Sequence, residues 1–538
     1  MDVIEQNNNG SIIKKRIDCC KTLTVKIEDG ECWWGIATTF GSKLPLANNN
    51  DGFMCDITVE NYSNQAVPLL VSNKGRYIWS DAAFKCRIEN GVFIFEGDSP
   101  IRLVTAGSTL REAFLAASKA HFPPSGKTPD LSLIAKPQWN TWIELTYNQN
   151  QKDILAYAKE IGENGFPEGG VIMIDDTWQY GYGIWEFDPR RFSNPKELCD
   201  TLHSLGFKIM LWVCPFVSMD SPGYREMAFG LKDAGVQSEK GGLIYDTDGD
   251  PVAAKWWNGR SASIDFSDPL GTSWFSRQLS TLREKFGVDG WKFDAGDTES
   301  YKKHWITKKG LSPSEMCEAY AKIGLEFPLN EYRACFKMGG QPIVQRLCDK
   351  GHSWDDLQKL MPDMISCGLL GHPFVCPDMI GGGNWIAFTE AAAVPYDPEL
   401  FVRSAQAHAL SPMMQFSAAP WRMLNGENLE AVRSAAWVRM KFAERFVELA
   451  KDCAKSGEPM LRNLEYNYPG NGWENIKDQF VMGDFLVVAP QIVKGAKERK
   501  VIIPPGKWEA DDGAIYEGPC EIIVSTPISR LPYFERIS

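Results

Sequence analysis

Segment 289–297, DGWKFDAGD, ends a short apolar run with a lysine and an aspartate two residues apart, followed by a glycine turn. Side chains alternate along a strand, so Lys292 and Asp294 share one face and Trp291 and Phe293 the other. The neighbouring cation favours the charged form of Asp294, which keeps it available as a nucleophile. The same residues also fit an aspartate that only caps the next helix. Segment 369–383, LLGHPFVCPDMIGGG, has the same build, with Asp378 at the end of an apolar run and glycines that let backbone approach a ligand. The two aspartates are 84 residues apart (378 − 294). That leaves room for one or two βα units of a barrel, whose reactive groups lie at the C-terminal ends of its strands. Two carboxylates on one rim point to glycoside hydrolysis.

The elements that would position them follow the texture of the chain. From about residue 136, strand-like and helix-like stretches alternate: PQWNTWI, DILAYAKEIGENG, GGVIMIDDTW, CDTLHSLG, FKIMLWVCPF. DGWKFDAG, PIVQRLC, HPFVCPDM and SPMMQFS continue the series. Seven or eight such strands predict a parallel (β/α)8 TIM barrel over 131–455, a multidomain α/β plus all-β chain being completed by the flanks. No glycine-rich phosphate turn supports the open doubly wound alternative. Before the barrel, alternating runs such as LTVKIED, KCRIEN and VFIFEG predict an N-terminal β-sandwich over 1–130, ending in the breaker-rich PPSGKTPDLS. After the helical AVRSAAWVRMKFAERFVELAKDCAKSG, the runs DQFVMGDFLVVAP, RKVIIPPGKWEA and EIIVSTPI predict a C-terminal β-sandwich over 456–538.

Composition narrows the function. The 538 residues are 44% apolar, ample for two or three domain cores. A net charge of −12 without a long Lys/Arg run argues against nucleic acid and against an anionic membrane surface, and leaves a small neutral ligand as the expected partner. The opening MDVIEQNNNGSIIKKRIDCC lacks the apolar core of a signal peptide, and no run of about 18 apolar residues occurs. The 14 cysteines include no CxxC pair and read as free thiols, Cys214, Cys335, Cys367 and Cys376 in apolar runs and vicinal Cys19 and Cys20 in a strand. Together these features predict a cytoplasmic protein. Of the 19 tryptophans many cluster in loops next to carboxylates, where sugars stack: Trp139 and Trp142, Trp178, Trp185, Trp212, Trp256 and Trp257, Trp385, Trp421. Core packing accounts for a good share of them.

In order, the strand ends carry Asp175 and Asp176 (VIMIDDTW), Trp212 (IMLWVCP), Lys292 and Asp294, Arg346 (VQRLCD), His372 and Asp378. In this order they resemble glycoside hydrolase family 31, and the C-terminal QFVMGDFLVVAP…PPGKW…LPYF resembles that family's sandwich after the barrel. The resemblance implies an exo-acting retaining double displacement on α-linked sugars, with Asp294 as nucleophile and Asp378 as acid/base. The physical logic of two carboxylates agrees, with a raised pKa for Asp378 and carboxyl groups about 5–5.5 Å apart. Asp175 and Asp176 occupy the position that binds sugar hydroxyls in the family, a bidentate acceptor for a diol, unless one of them faces the core or caps a helix. Lys292 and Arg346 would anchor hydroxyls and hold the carboxylates charged, although a structural ion pair fits Arg346 equally well. Trp142, Trp212 and Trp385 complete the substrate-binding set. His372 reads as a residue behind the site. The remaining histidines show no HxH or HExxH spacing, so neither a metal nor any other cofactor is expected.

One departure bears on the sugar. Many members of the family, notably α-glucosidases, carry a sugar-binding histidine in the last barrel strand, where this chain reads SPMMQFSAAPW with Gln415, Phe416 and Ser417. This resembles the branch holding bacterial α-galactosidases, and a change in the 4-hydroxyl requires such a change of pocket. The expectation is an α-galactosidase acting on small neutral α-galactosides. The alternatives are an α-glucosidase or α-xylosidase of the same mechanism, a glycosyltransferase sharing the covalent intermediate, with AAKWWNGRSA at 253–262 as acceptor platform, and a non-catalytic glycan-binding protein. No residue specifies a homo-oligomer, though the surface leaves room for one.

Overall fold

The computed structural model describes residues 2–6, 12–230, 239–389 and 395–538, with side chains from residue 21 onward. Eight parallel strands form the central sheet: β1 (Gln138–Asn140), β2 (Gly170–Ile174), β3 (Phe207–Val213), β4 (Gly290–Phe293), β5 (Asn330–Tyr332), β6 (Gln345–Arg346), β7 (Val375–Cys376) and β8 (Gln415–Phe416). From β1 to β7 each pairs with the next, β8 pairs back onto β1, and between β7 and β8 a single parallel bridge from Met379 to Gln415 stands in place of strand pairing. This is the expected (β/α)8 barrel, all but closed. Its strands are buried throughout, as strands covered by helices on one side and a packed lumen on the other must be.

The short strand β5, NEY, was absent from the sequence expectation. It holds only three residues, two of them polar, and offers no apolar run to detect. Tertiary packing makes it a strand: Tyr332 stacks on Phe293 at 4.5 Å outside the lumen, while Glu331 pairs in register with Lys292 on the inside.

The N-terminal region forms an antiparallel sheet in one hydrogen-bonded network. Its long strand Val92–Thr105 pairs with Phe84–Glu89 through its first half and with Arg76–Ser80 through its second. The strand containing Cys19 and Cys20, Ile12–Lys26, pairs with that same long strand. A segment after β5, Cys335–Phe336, joins the sheet beside Gln65 and Ala66. There the buried Asn64 and Gln65 side chains each donate to the carbonyls of both Arg333 and Arg346, at 2.8–3.0 Å. The sheet thereby grips the backbone of two pocket residues. The C-terminal region is a six-stranded sheet over a core of Val481, Val487, Val501, Ile503, Trp508 and Phe534. No described helix is long and apolar enough to cross a membrane. Every cysteine whose side chain is described is free, and Cys214, Cys335, Cys367 and Cys376 are fully buried.

Candidate active site

The C-terminal ends of the barrel strands converge on a pocket of about 600 Å³, large enough for one or two sugar rings. Register sets what enters it. Trp212 of β3, Lys292 of β4 and Glu331 of β5 are in-register neighbours, so their side chains share the lumen face. One step beyond β4, Asp294 occupies the same face.

Asp294 is nearly enclosed, at 7% exposure, and its oxygens are claimed by donors. The Trp212 indole Nε1 donates to Oδ2 at 2.8 Å, and the Ala295 amide donates to Oδ1 at 3.0 Å. Burial pushes this carboxyl up, but the Lys292, Arg333 and Arg346 cations outweigh it and hold Asp294 below the usual carboxylate range. Arg333 Nε and Arg346 Nη2 lie 3.9 and 4.0 Å from Oδ1. Lys292 acts at one remove, since its Nζ donates to Asp175 Oδ2 at 2.6 Å.

Arg346 is the hub of the charged cluster. Its Nη1 donates to Asp349 Oδ1 at 2.6 Å, to Asp378 Oδ1 at 2.8 Å and to the Leu347 carbonyl at 3.1 Å. Its Nε faces Glu331 at 3.5 Å beneath the pocket. Glu331 is raised by burial, which Arg346 and Lys292 only partly oppose. Asp378 is fully buried, and its Oδ2 accepts from the Lys350 amide at 2.8 Å and the Gly383 amide at 3.1 Å. Burial drives Asp378 up to about 7, Arg346 opposing and the Asp349 charge adding to the rise. The Asp349 side chain lines the pocket and is 41% exposed, and its flanking cations outweigh desolvation to hold it low.

Asp175 and Asp176 both reach the pocket with different tasks. Asp175 pairs with Lys292 and accepts from the Asp176 amide at 2.9 Å. Asp176 accepts from Thr177 N at 2.7 Å and Gln179 Nε2 at 2.9 Å on Oδ1, and from the Tyr182 hydroxyl at 2.9 Å and Asn258 Nδ2 at 3.0 Å on Oδ2. Desolvation still lifts it to about 6. Four aromatic walls close the mouth: Trp142, whose Nε1 donates to the Gly383 carbonyl at 3.2 Å, with Tyr147, Trp257 and Trp385.

Comparison with known proteins agrees with this geometry. Residues 135–446 match the glycosyl hydrolases family 31 TIM-barrel domain, and residues 457–537 match the glycosyl hydrolase family 31 C-terminal domain. The chain belongs to glycosyl hydrolase family 31. It is 30% identical over 445 residues to the myogenesis-regulating glycosidase of Mus musculus, covering 80% of this chain and 60% of that protein. It is 23% identical to the alpha-xylosidase XylQ of Lactiplantibacillus pentosus, covering 84% of this chain and 60% of that one. The chain thus spans about 60% of the length of these curated relatives. A dextranase of the family from Flavobacterium johnsoniae, complexed with glucose, shares the fold at a TM-score of 0.81 and 18% identity, over 96% of this chain and 66% of that one. An α-xylosidase of the family from a soil metagenome, complexed with xylose, does so at 0.80 and 18%, over 100% and 81%.

Of the site residues expected from the sequence, this family 31 barrel gathers Trp142, Asp175, Asp176, Trp212, Lys292, Asp294, Arg346 and Trp385 around one pocket. Asp378 is displaced from its expected place: it lies behind the wall with both oxygens filled by donors, while Asp349 faces the cavity. A residue that must touch a leaving oxygen and then a water needs open access, so the proton-transfer expectation moves from Asp378 to Asp349. His372 sits three residues before β7, at the end of the strand opposite the pocket, and burial lowers it to about 3. Gln415 points into the lumen, donating to Gln138 at 3.0 Å and Glu331 at 2.9 Å; Phe416 stacks on Trp139 at 4.5 Å, and the Ser417 hydroxyl accepts from the Ile143 amide at 2.7 Å. None of these three lines the pocket. Trp139, Trp178 and Trp185 are core residues. Sequence reasoning missed Arg333, Asp349 and Glu331. The first and third hang on the undetected β5, and Asp349 lies in VQRLCDKG, where its three-residue spacing from Arg346 was the available signal.

Proposed function

We propose that this protein hydrolyses terminal α-linked sugars with retention of configuration, Asp294 attacking the anomeric carbon and Asp349 protonating the leaving oxygen. The observation that carries the reading is Asp294 itself: a carboxylate kept ionised inside a closed pocket by an indole N–H, a backbone amide and three cations. In the first step the Asp294 oxygen bonds to the anomeric carbon as the glycosidic bond breaks, and the proton passes from Asp349 to the leaving oxygen. In the second, Asp349 takes a proton from water as that water displaces Asp294. Asp349 and Asp378 share Arg346 Nη1 and titrate as a pair, so one proton can reside between them while Asp294 stays charged.

Galactose is the proposed sugar and small neutral α-galactosides the substrates, supported by a pocket to which the last strand, without the histidine typical of α-glucosidases, contributes no lining residue. Glucose or xylose is the second reading, favoured by the names of the xylosidase and dextranase relatives. Rates on nitrophenyl α-galactoside, α-glucoside and α-xyloside, with product anomers followed by proton NMR, separate the two. Galactoside turnover yielding the α-anomer first supports the proposal. Preference for glucoside or xyloside keeps the mechanism and removes the sugar, and a β-anomer first removes the mechanism.

A further inference from the structure

Strands Ala254–Trp256 and Gly259–Ser263 form a hairpin that turns on Trp257 and Asn258 above the pocket. Asn258 Nδ2 lies 3.0 Å from Asp176 Oδ2 and 2.6 Å from the Tyr182 hydroxyl, which itself donates to the same Oδ2 at 2.9 Å. Two further donors fill Oδ1. A carboxylate has about four acceptor sites, so Asp176 is saturated by the protein and has none left for a sugar hydroxyl. Its work is to hold this turn.

The turn carries Trp257. One face of its indole packs against the Arg333 guanidinium at 5.0 Å, Trp256 packs at 5.2 Å, and the residue as a whole is 48% exposed. At the enclosed end of the same pocket lie Asp175, Lys292 and Asp294, each at most 7% exposed. A terminal sugar fills that end, which leaves the next ring of the substrate at the mouth, level with Trp257. An indole fixed on one side and open on the other is a platform for the apolar face of a sugar.

We propose that Asn258 is a positioning residue that pins the hairpin to Asp176 and thereby holds Trp257 as the platform for the leaving-group sugar. The inference rests on the glycosidase reading above. Fixing the platform before binding removes an ordering cost from substrates that carry a second ring, and only from those.

Full-length wild type, Asn258→Ala, Trp257→Ala and the double variant are compared on an α-linked galactosyl-glucose disaccharide and on α-galactosyl fluoride, which has no second ring. The expected result is an about tenfold rise in KM for the disaccharide with Asn258→Ala, kcat and the fluoride parameters changing less than about twofold, partial recovery in the donor-retaining Asn258→Gln, and no added effect in the double variant. An equal KM rise on both compounds, or additivity with Trp257→Ala, overturns the proposal. Urea unfolding of each variant identifies a loss of fold, in which case Asn258→Gln alone carries the comparison. If wild type turns over neither compound, the galactoside reading fails by itself. Calorimetric disaccharide binding then decides: about tenfold weaker binding by Asn258→Ala supports the platform, and equal binding overturns it.

Discussion

Asp349 and Asp378 accept from the same guanidinium nitrogen, Arg346 Nη1, at 2.6 and 2.8 Å. One carboxyl faces the cavity and the other is sealed behind the wall, so the open member can exchange a proton with substrate and water while the sealed member sets how readily it does so. Neither role needs Asp378 to touch the sugar.

This sharing predicts the alkaline side of the pH profile. The pair must hold a proton for the leaving group, and burial together with the Asp349 charge raises the Asp378 carboxyl to about 7. kcat/KM is therefore expected to fall as pH rises through about 7. In Asp378→Asn the like charge is gone, Asp349 releases its proton more easily, and the alkaline limb moves to lower pH while activity persists below it. Asparagine also tolerates the left-handed backbone at this position, where φ is 79°. An unmoved limb removes Asp378 from the pair.

Trp212→Phe tests the nucleophile. The substitution removes the N–H donated to Asp294 Oδ2, a hydrogen bond to a charged group worth about 1.5–3 kcal/mol, so kcat is expected to fall by about 10- to 100-fold. A depressed carboxyl that loses a donor rises, so the acidic limb of kcat/KM should shift upward in pH. A fall in kcat without that shift would mean that Trp212 only packs.

Arg346→Met tests the hub. Removing the guanidinium leaves Asp378 and Glu331 buried without their cation, and urea unfolding near neutral pH is expected to show a loss of about 3–5 kcal/mol. Protonating the stranded carboxyls relieves the penalty, so the deficit should shrink as pH falls. A deficit independent of pH would assign the loss to packing instead.

The contribution of the N-terminal sheet is open to a double-mutant cycle. Asn64 and Gln65 donate to the same two carbonyls, of Arg333 and Arg346, so Asn64→Ala and Gln65→Ala each leave one donor per carbonyl. Each single change should alter kcat less than about threefold. The double change strands two buried carbonyls at about 1–3 kcal/mol apiece and should lower stability and kcat beyond the sum of the singles. Additive effects on kcat would separate the sheet from the site.

The barrel was legible because most of its strands carry apolar runs and because Lys292 and Asp294 obey strand alternation, with Trp291 and Phe293 facing the helices as expected. β5 was hidden because its three residues take strand form from stacking on Phe293 and pairing with Lys292 rather than from their own propensity. The exchange of Asp378 for Asp349 has a different origin. A sequence shows that an aspartate follows an apolar run, but whether its oxygens face a cavity or are capped by the amides of Lys350 and Gly383 depends on loops distant in the chain or folded back on themselves. The last-strand departure was visible in the sequence, but its residues point into the lumen, to the helices and to a backbone amide rather than to the pocket.

The central claim, a covalent intermediate on Asp294 assisted by Asp349, is tested most directly by adding azide to Asp349→Ala turning over nitrophenyl α-galactoside. Without its proton donor the variant should lose about 10²- to 10⁴-fold on sugar leaving groups and far less on nitrophenolate, which needs little protonation. Azide needs no base, so it should restore turnover and give the α-galactosyl azide, with Asp294→Asn inert under the same conditions. A β-azide, or Asp378→Ala rather than Asp349→Ala responding to azide, would contradict the account.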